Sequence, residues 1–200
     1  MKKVKTTFFT AKNIAILGVL LALVIVLQAF GLTVTLPGGT SMSFVLVPIV
    51  VGGMLLGPGA GAFLGLAFGI VTLFDPLTLT LINYVPVAVI STVLLKGIAA
   101  GIVPSLLFAL ISGRNGYVAS FVAALSAPIV NTGIFFIGCL VMREALVQAV
   151  GMAFWAFIGL IAINFAIEVV INGVLAPAIY SVDRVVERRI LIKKSTDSVK

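Results

Sequence analysis

The chain has 200 residues, of which 62% are hydrophobic and 10% charged, and its mean hydropathy is +1.31. Soluble domains carry about 45–50% apolar and about 25% charged residues, so a water-soluble fold is excluded. The net charge of +7 argues little for nucleic acid, because nearly all the basic residues sit in two short tails that also carry Asp183, Glu187 and Asp197 and lack interleaved aromatics.

The placement of the charge is more informative than its sum. Lys2, Lys3, Lys5 and Lys12 precede the first apolar run, and Arg184, Arg188, Arg189, Lys193, Lys194 and Lys200 follow the last. Lys and Arg beside a span stay on the cytoplasmic side, so the tails 1–12 and 182–200 are expected inside and the number of spans even. A span needs about 20 apolar residues, so the chain is expected to be an all-α membrane protein, a single bundle of about six helices forming one substrate-binding domain.

The first span is expected over 13–30. Its lysine-led apolar stretch, with Ala29-Phe30-Gly31 as a weak cleavage site, also fits a signal peptide, but removal would leave an odd number of spans. Residues 31–43, around Pro37-Gly38-Gly39, read as an outward loop. A short second span over 44–56 stops at Gly57-Pro58, and a third follows over 59–74. Gly57, Gly61, Gly65 and Gly69 recur every fourth residue, a stripe along which another backbone can approach closely. Asp75-Pro76 ends this run on the outer side. The apolar stretch 77–111 is too long for one perpendicular helix, and Pro86 divides it into a loop or half-helix dipping toward the membrane and a fourth span. Residues 112–116, with Arg114, return the chain to the inside; the fifth span covers 117–142 with Pro128 inside it, Arg143 and Glu144 begin an outer loop, and the sixth covers 152–179.

On the sixth span Asn164, Glu168 and Asn172 fall at i, i+4 and i+8, on one helical face near mid-membrane. An ionisable group there costs about 2.5–3.5 kcal/mol on insertion scales, so it should face the interior, either in a structural hydrogen bond or against a ligand or partner. Lys96, inside the fourth span, needs an anionic partner such as Glu168 or a ligand carboxylate, unless it snorkels to a surface. Asn131-Thr132 follow Pro128 beside a loosened turn, Asn83 and Tyr84 sit in the dipping segment, and Trp155 is either an interface anchor or a stacking wall. Ala11, Ala15, Gly18 and Ala22 make a second small-residue stripe that serves either packing or docking of a membrane partner. Cys139 stands alone in an apolar run, so there is no disulfide framework. The chain has no His, no metal-ligand cluster, no cofactor motif and no hydrolytic constellation, and no catalytic residue is expected. It also lacks a phosphate-binding G-x-x-x-x-G-K-[ST] loop, so active transport would need a separate motor or a coupling ion.

Several of these features recur together: Ala15, Gly18 and Ala22; Val47-Pro48 followed by Leu56-Gly57-Pro58-Gly59-Ala60-Gly61; Lys96-Gly97 through Gly101; Asn131-Thr132; and Glu168 with Ala176-Pro177. In this the chain resembles the substrate-binding S components of energy-coupling factor (ECF) vitamin transporters. The resemblance implies a six-helix subunit of the cell membrane that binds a small-molecule vitamin near the outer surface. It further implies association with a transmembrane coupling (T) subunit, through the small-residue face of the first helix, and with two cytosolic ATPases, and toppling in the lipid to deliver cargo. The stretch from Met42-Ser43-Phe44 to Phe68-Gly69 is most similar to the pantothenate-type members, while folate, pyridoxine-type and cobalamin-precursor carriers share much of the pattern. Pantothenate's carboxylate, amide and hydroxyls would be met by Lys96 or Arg143 together with Asn83, Asn131 and Asn164. Two other classes remain open from the residues alone: a proton-coupled secondary transporter in which Glu168 titrates, and an intramembrane enzyme.

Overall fold

A computed structural model describes the backbone of residues 10–29 and 44–197 and the side chains of 10–29 and 44–181. The expected outer loop 31–43, the Met42-Ser43 part of the pantothenate-like stretch, and the basic side chains of both tails other than Lys12 lie outside the described residues.

The described residues form eight α-helices: α1 (Ala11–Ala29), α2 (Leu46–Leu56), α3 (Pro58–Thr72), α4 (Pro76–Ile82), α5 (Pro86–Ile111), α6 (Gly116–Val141), α7 (Arg143–Val150) and α8 (Phe154–Asp197). Their boundaries follow local chemistry. Pro58, Pro76 and Pro86 open α3, α4 and α5 in the first turn, where a missing N–H costs nothing. Asn115 caps α6, its Oδ1 accepting from the N–H groups of Tyr117 at 3.0 Å and Val118 at 3.2 Å. Gly57 breaks α2 from α3 at φ +94°, a conformation L side chains resist.

Four of these helices are long and apolar enough to cross a membrane: α1, α5, α6 and the Phe154–Ser181 part of α8. A fifth crossing results if α3 and α4, bent by 77°, count as one broken span. The expected second and third spans are the short ones. α2 has 11 residues and α3 has 15, roughly 16 and 22 Å at 1.5 Å per residue, against a hydrocarbon core of about 30 Å.

One expectation is corrected. The stretch beginning at Arg143-Glu144 is not a loop but α7, whose R-E-A-L-V-Q-A-V sequence contains good helix formers, an acid in the first turn, and Ala145 and Leu146 buried on one side. The sixth span, expected over 152–179, lies at Phe154–Ser181, and its helix continues beyond it. No glycine or proline interrupts the chain between Pro177 and Asp197, and the helix runs on to Asp197.

The tightest packing is between α3 and α5. A Cβ on Gly65 would meet the carbonyl of Gly97, one on Gly101 would meet the carbonyl of Gly61, and one on Gly69 would stand 3.1 Å from the carbonyl of Val93. The glycine stripe is therefore a backbone-to-backbone seam, with Gly57 serving the turn rather than the seam. Two apolar clusters flank it. The first joins α1, α2 and α3 through Val24, Ile49, Val50 and Leu64 to α6 and the middle of α8. The second gathers Leu81, Val89, Leu146, Phe154 and Phe157, where α4, α5, α7 and the start of α8 meet.

Candidate substrate site

Between the two clusters lies a polar cavity of about 90 Å³. Phe68 of the first cluster and Val93 and Ile161 of the second contribute its apolar wall. Its polar wall comes from Gln28 near the end of α1, Thr72 at the end of α3, Asp75 in the break and Thr78 on α4. Lys96 of α5, Asn131 and Thr132 of α6, and Asn164 and Glu168 of α8 complete it. The 77° bend folds α4 back across this end of the bundle, and that turn brings Asp75 and Thr78 to the cavity.

Lys96 is buried, 9% exposed, and does not snorkel. Its Nζ lies 4.7 Å from the centre of the Phe135 ring and 5.4 Å from that of Phe68. Desolvated cation–π contacts of this kind are worth about 2 kcal/mol, partly offsetting the cost of burial. The carboxylates acting on it are first Glu168 and then Asp75. Glu168 is 4% exposed and accepts a hydrogen bond from Asn164 Nδ2 at 3.3 Å. Asn172, one turn further, donates to the Glu168 backbone carbonyl at 2.9 Å and is buried away from the cavity, so the three-residue face divides after Glu168. Gln28 Nε2 donates to Asp75 Oδ2 at 3.1 Å, tying the end of α1 to the break between α3 and α4. The side-chain oxygens of Asn131 and Asn164 are buried with no hydrogen-bond partner among the described residues.

Of the residues singled out from the sequence, Lys96, Asn131, Asn164 and Glu168 come together on this cavity. Asn83 and Tyr84, at the end of α4, are exposed, and Trp155 is 67% exposed beside Phe154 at the start of α8; none of the three lines it. Arg143 is also elsewhere, its guanidinium 5.2 Å from the centre of the Phe154 ring. Cys139 is packed in the second apolar cluster. Ala15, Gly18 and Ala22 lie on an exposed face of α1, and a Cβ on Gly18 would meet nothing within 4 Å.

The sequence reading did not single out Gln28, Thr72, Phe68 or Phe135, and it took Asp75 only as a helix break. One signal was available: Gln28 is the only polar side chain from Ile14 to Phe30. Among the described residues no group of three or more His, Cys, Asp or Glu could hold a metal ion.

A bundle of apolar helices that encloses charged and amide side chains at one end is a membrane protein built around a small polar cavity. A family model for the substrate-specific component of ECF transporters matches residues 12–180, and the chain belongs to that family. It is an integral membrane protein and a transport subunit. Membership implies a small-molecule substrate, a T subunit and ATPase partners. No curated protein and no solved structure matches the chain.

Proposed function

We propose that this chain selects a water-soluble vitamin, holds it in the cavity lined by Lys96 and Glu168, and delivers it inward when joined to a T subunit and two ATPases. The observation that carries the reading is the burial of Lys96 and Glu168, 9% and 4% exposed, at one end of an otherwise apolar bundle. Ionisable groups placed inside membrane helices are costly and mark substrate pathways. In this reading the chain crosses the membrane about six times, through α1, α2, α3, α5, α6 and α8, with α4 and α7 as caps on one side. The turn carrying Arg114 and both basic tails then lie in the cytoplasm, which puts the cavity at the outer end. Ala15, Gly18 and Ala22 form the face offered to the T subunit, being exposed and small.

The pantothenate-like stretch makes pantothenate the first vitamin to test; its carboxylate would require Lys96 as partner, since Arg143 is not at the cavity. The test is binding of a panel of radiolabelled B vitamins to the purified chain in detergent, followed by uptake in cells with and without the coupling proteins. The expected result is tight binding of one vitamin by the isolated chain and uptake only with active ATPases. Uptake that ignores the ATPases and follows a proton gradient would instead establish a secondary transporter using Glu168.

A further inference from the structure

The charges around the cavity describe a different cargo from the one a buried lysine alone implies. Lys96 is the only cation among the described lining residues, against the carboxylates of Asp75 and Glu168. Its ammonium is already engaged, lying over the rings of Phe68 and Phe135 and under the attraction of Glu168 and then Asp75.

Two of the lining amides each keep an unmet oxygen. Asn164 spends its Nδ2 on Glu168 Oε1 at 3.3 Å, and turning the amide over would set its oxygen against the carboxylate, so Oδ1 remains as a buried acceptor without a partner among the described residues. Asn131, 8% exposed, leaves its Oδ1 in the same state. Gln28 spends its Nε2 on Asp75 at 3.1 Å. Each buried acceptor left unmet costs about 1–3 kcal/mol, but the hydroxyls of Thr78 and Thr132 and the remaining amide N–H groups supply donors, so the balance of charge decides the cargo. A carboxylate cargo would bring a third anion toward a single cation.

We infer that the cavity selects a neutral or cationic molecule over a carboxylate, with Asp75 and Glu168 as the specificity-determining residues. The inference rests on the cavity being the cargo site but departs from the pantothenate expectation: it narrows the vitamin class to those without a free acid, such as amino-substituted nitrogen heterocycles or polyol amides.

The experiment uses pairs of compounds that share a skeleton and differ by one charge: pantothenate with panthenol, nicotinate with nicotinamide, and 4-pyridoxate with pyridoxine. These are titrated alongside the remaining B vitamins into the purified full-length chain in detergent. The expected result is that the tightest ligand carries no carboxylate, and that within the pair nearest to it the acid binds at least tenfold more weakly. In Asp75→Asn the asparagine Oδ1 can still accept from Gln28, so the fold keeps that bond while losing one negative charge; the acid of the pair should then gain about tenfold relative to its partner. A carboxylate as the tightest ligand, or a ratio unmoved by Asp75→Asn in a protein that melts normally, overturns the inference while leaving the cargo site in place. Binding that survives both Asp75→Asn and Glu168→Gln unchanged overturns the cargo site itself, and no binding anywhere in the panel overturns both.

Discussion

A carboxylate inside an apolar helix persists only where neighbours answer its charge, and Glu168 draws on its own helix and on α5. Asn164 donates to it from one turn earlier at 3.3 Å, and it is the leading attraction on Lys96. Removing it would leave Lys96 buried with Asp75, which is half-buried and already holds Gln28, as the remaining carboxylate acting on it. Glu168→Ala is therefore expected to weaken cargo binding or assembly by tenfold or more, since losing one partner of a buried charged pair costs about 3–5 kcal/mol. Glu144→Ala, on the exposed side of α7, should stay within about twofold. Equal effects in a binding titration and a pull-down of the coupling proteins would sink the assignment. Trp155→Ala should likewise leave cargo affinity unchanged within about twofold, because the indole is 67% exposed and outside the cavity; a large loss of affinity would return Trp155 to the site. The Asn164–Glu168 pair was legible from spacing alone, because i and i+4 share a helical face whatever the rest of the chain does. Gln28 and Asp75 were not, since they stand 47 residues apart and meet only because the chain bends by 77° after α3.

At the scale of elements, the seam between α3 and α5 fixes the spacing of the helices that carry Phe68, Thr72 and Lys96. Gly61 and Gly65 face Gly101 and Gly97 with backbone against backbone, so neither helix can yield by rotating a side chain. Gly65→Ala and Gly97→Ala should each destabilise the protein by about 1–3 kcal/mol, the usual cost of overpacking a well-filled interior. Gly133→Ala, whose added Cβ meets nothing within 4 Å, should be neutral or slightly stabilising by up to about 1 kcal/mol. Unfolding curves in one detergent compare the three, and a Gly65→Ala protein as stable as Gly133→Ala would show that the seam is looser than described. The four-residue spacing made this stripe visible in the sequence. The half-helix before Pro86 was visible too, because proline without its N–H marks where one helix stops and another starts. The helical character of α7 was hidden by Arg143-Glu144, a charged pair that reads as a loop but opens an amphipathic helix packed through Leu146. The shortness of α2 and α3 was hidden as well, since hydropathy reports that a segment is apolar and not how far it reaches.

For the whole molecule, α1 is the least buried of the four membrane-length helices. Among its described residues Leu20, Val24 and Gln28 are buried, while Ala11, Ala15, Gly18 and Ala22 share an outward face. This separation allows folding and coupling to be tested independently. Gly18 has open space where a side chain would go, so Gly18→Leu should leave the isolated chain's melting temperature and its cargo affinity unchanged within experimental error. Against a close-packed partner helix the same isobutyl group has no room, because small residues at such interfaces are what allow two backbones to approach. Uptake in cells carrying the T subunit and ATPases should therefore fall at least tenfold, together with co-purification of the T subunit, while binding by the solitary chain persists. Loss of cargo binding in Gly18→Leu would mean that α1 transmits strain to the cavity through Gln28 and Asp75. Full uptake in that variant would place the coupling face on another helix.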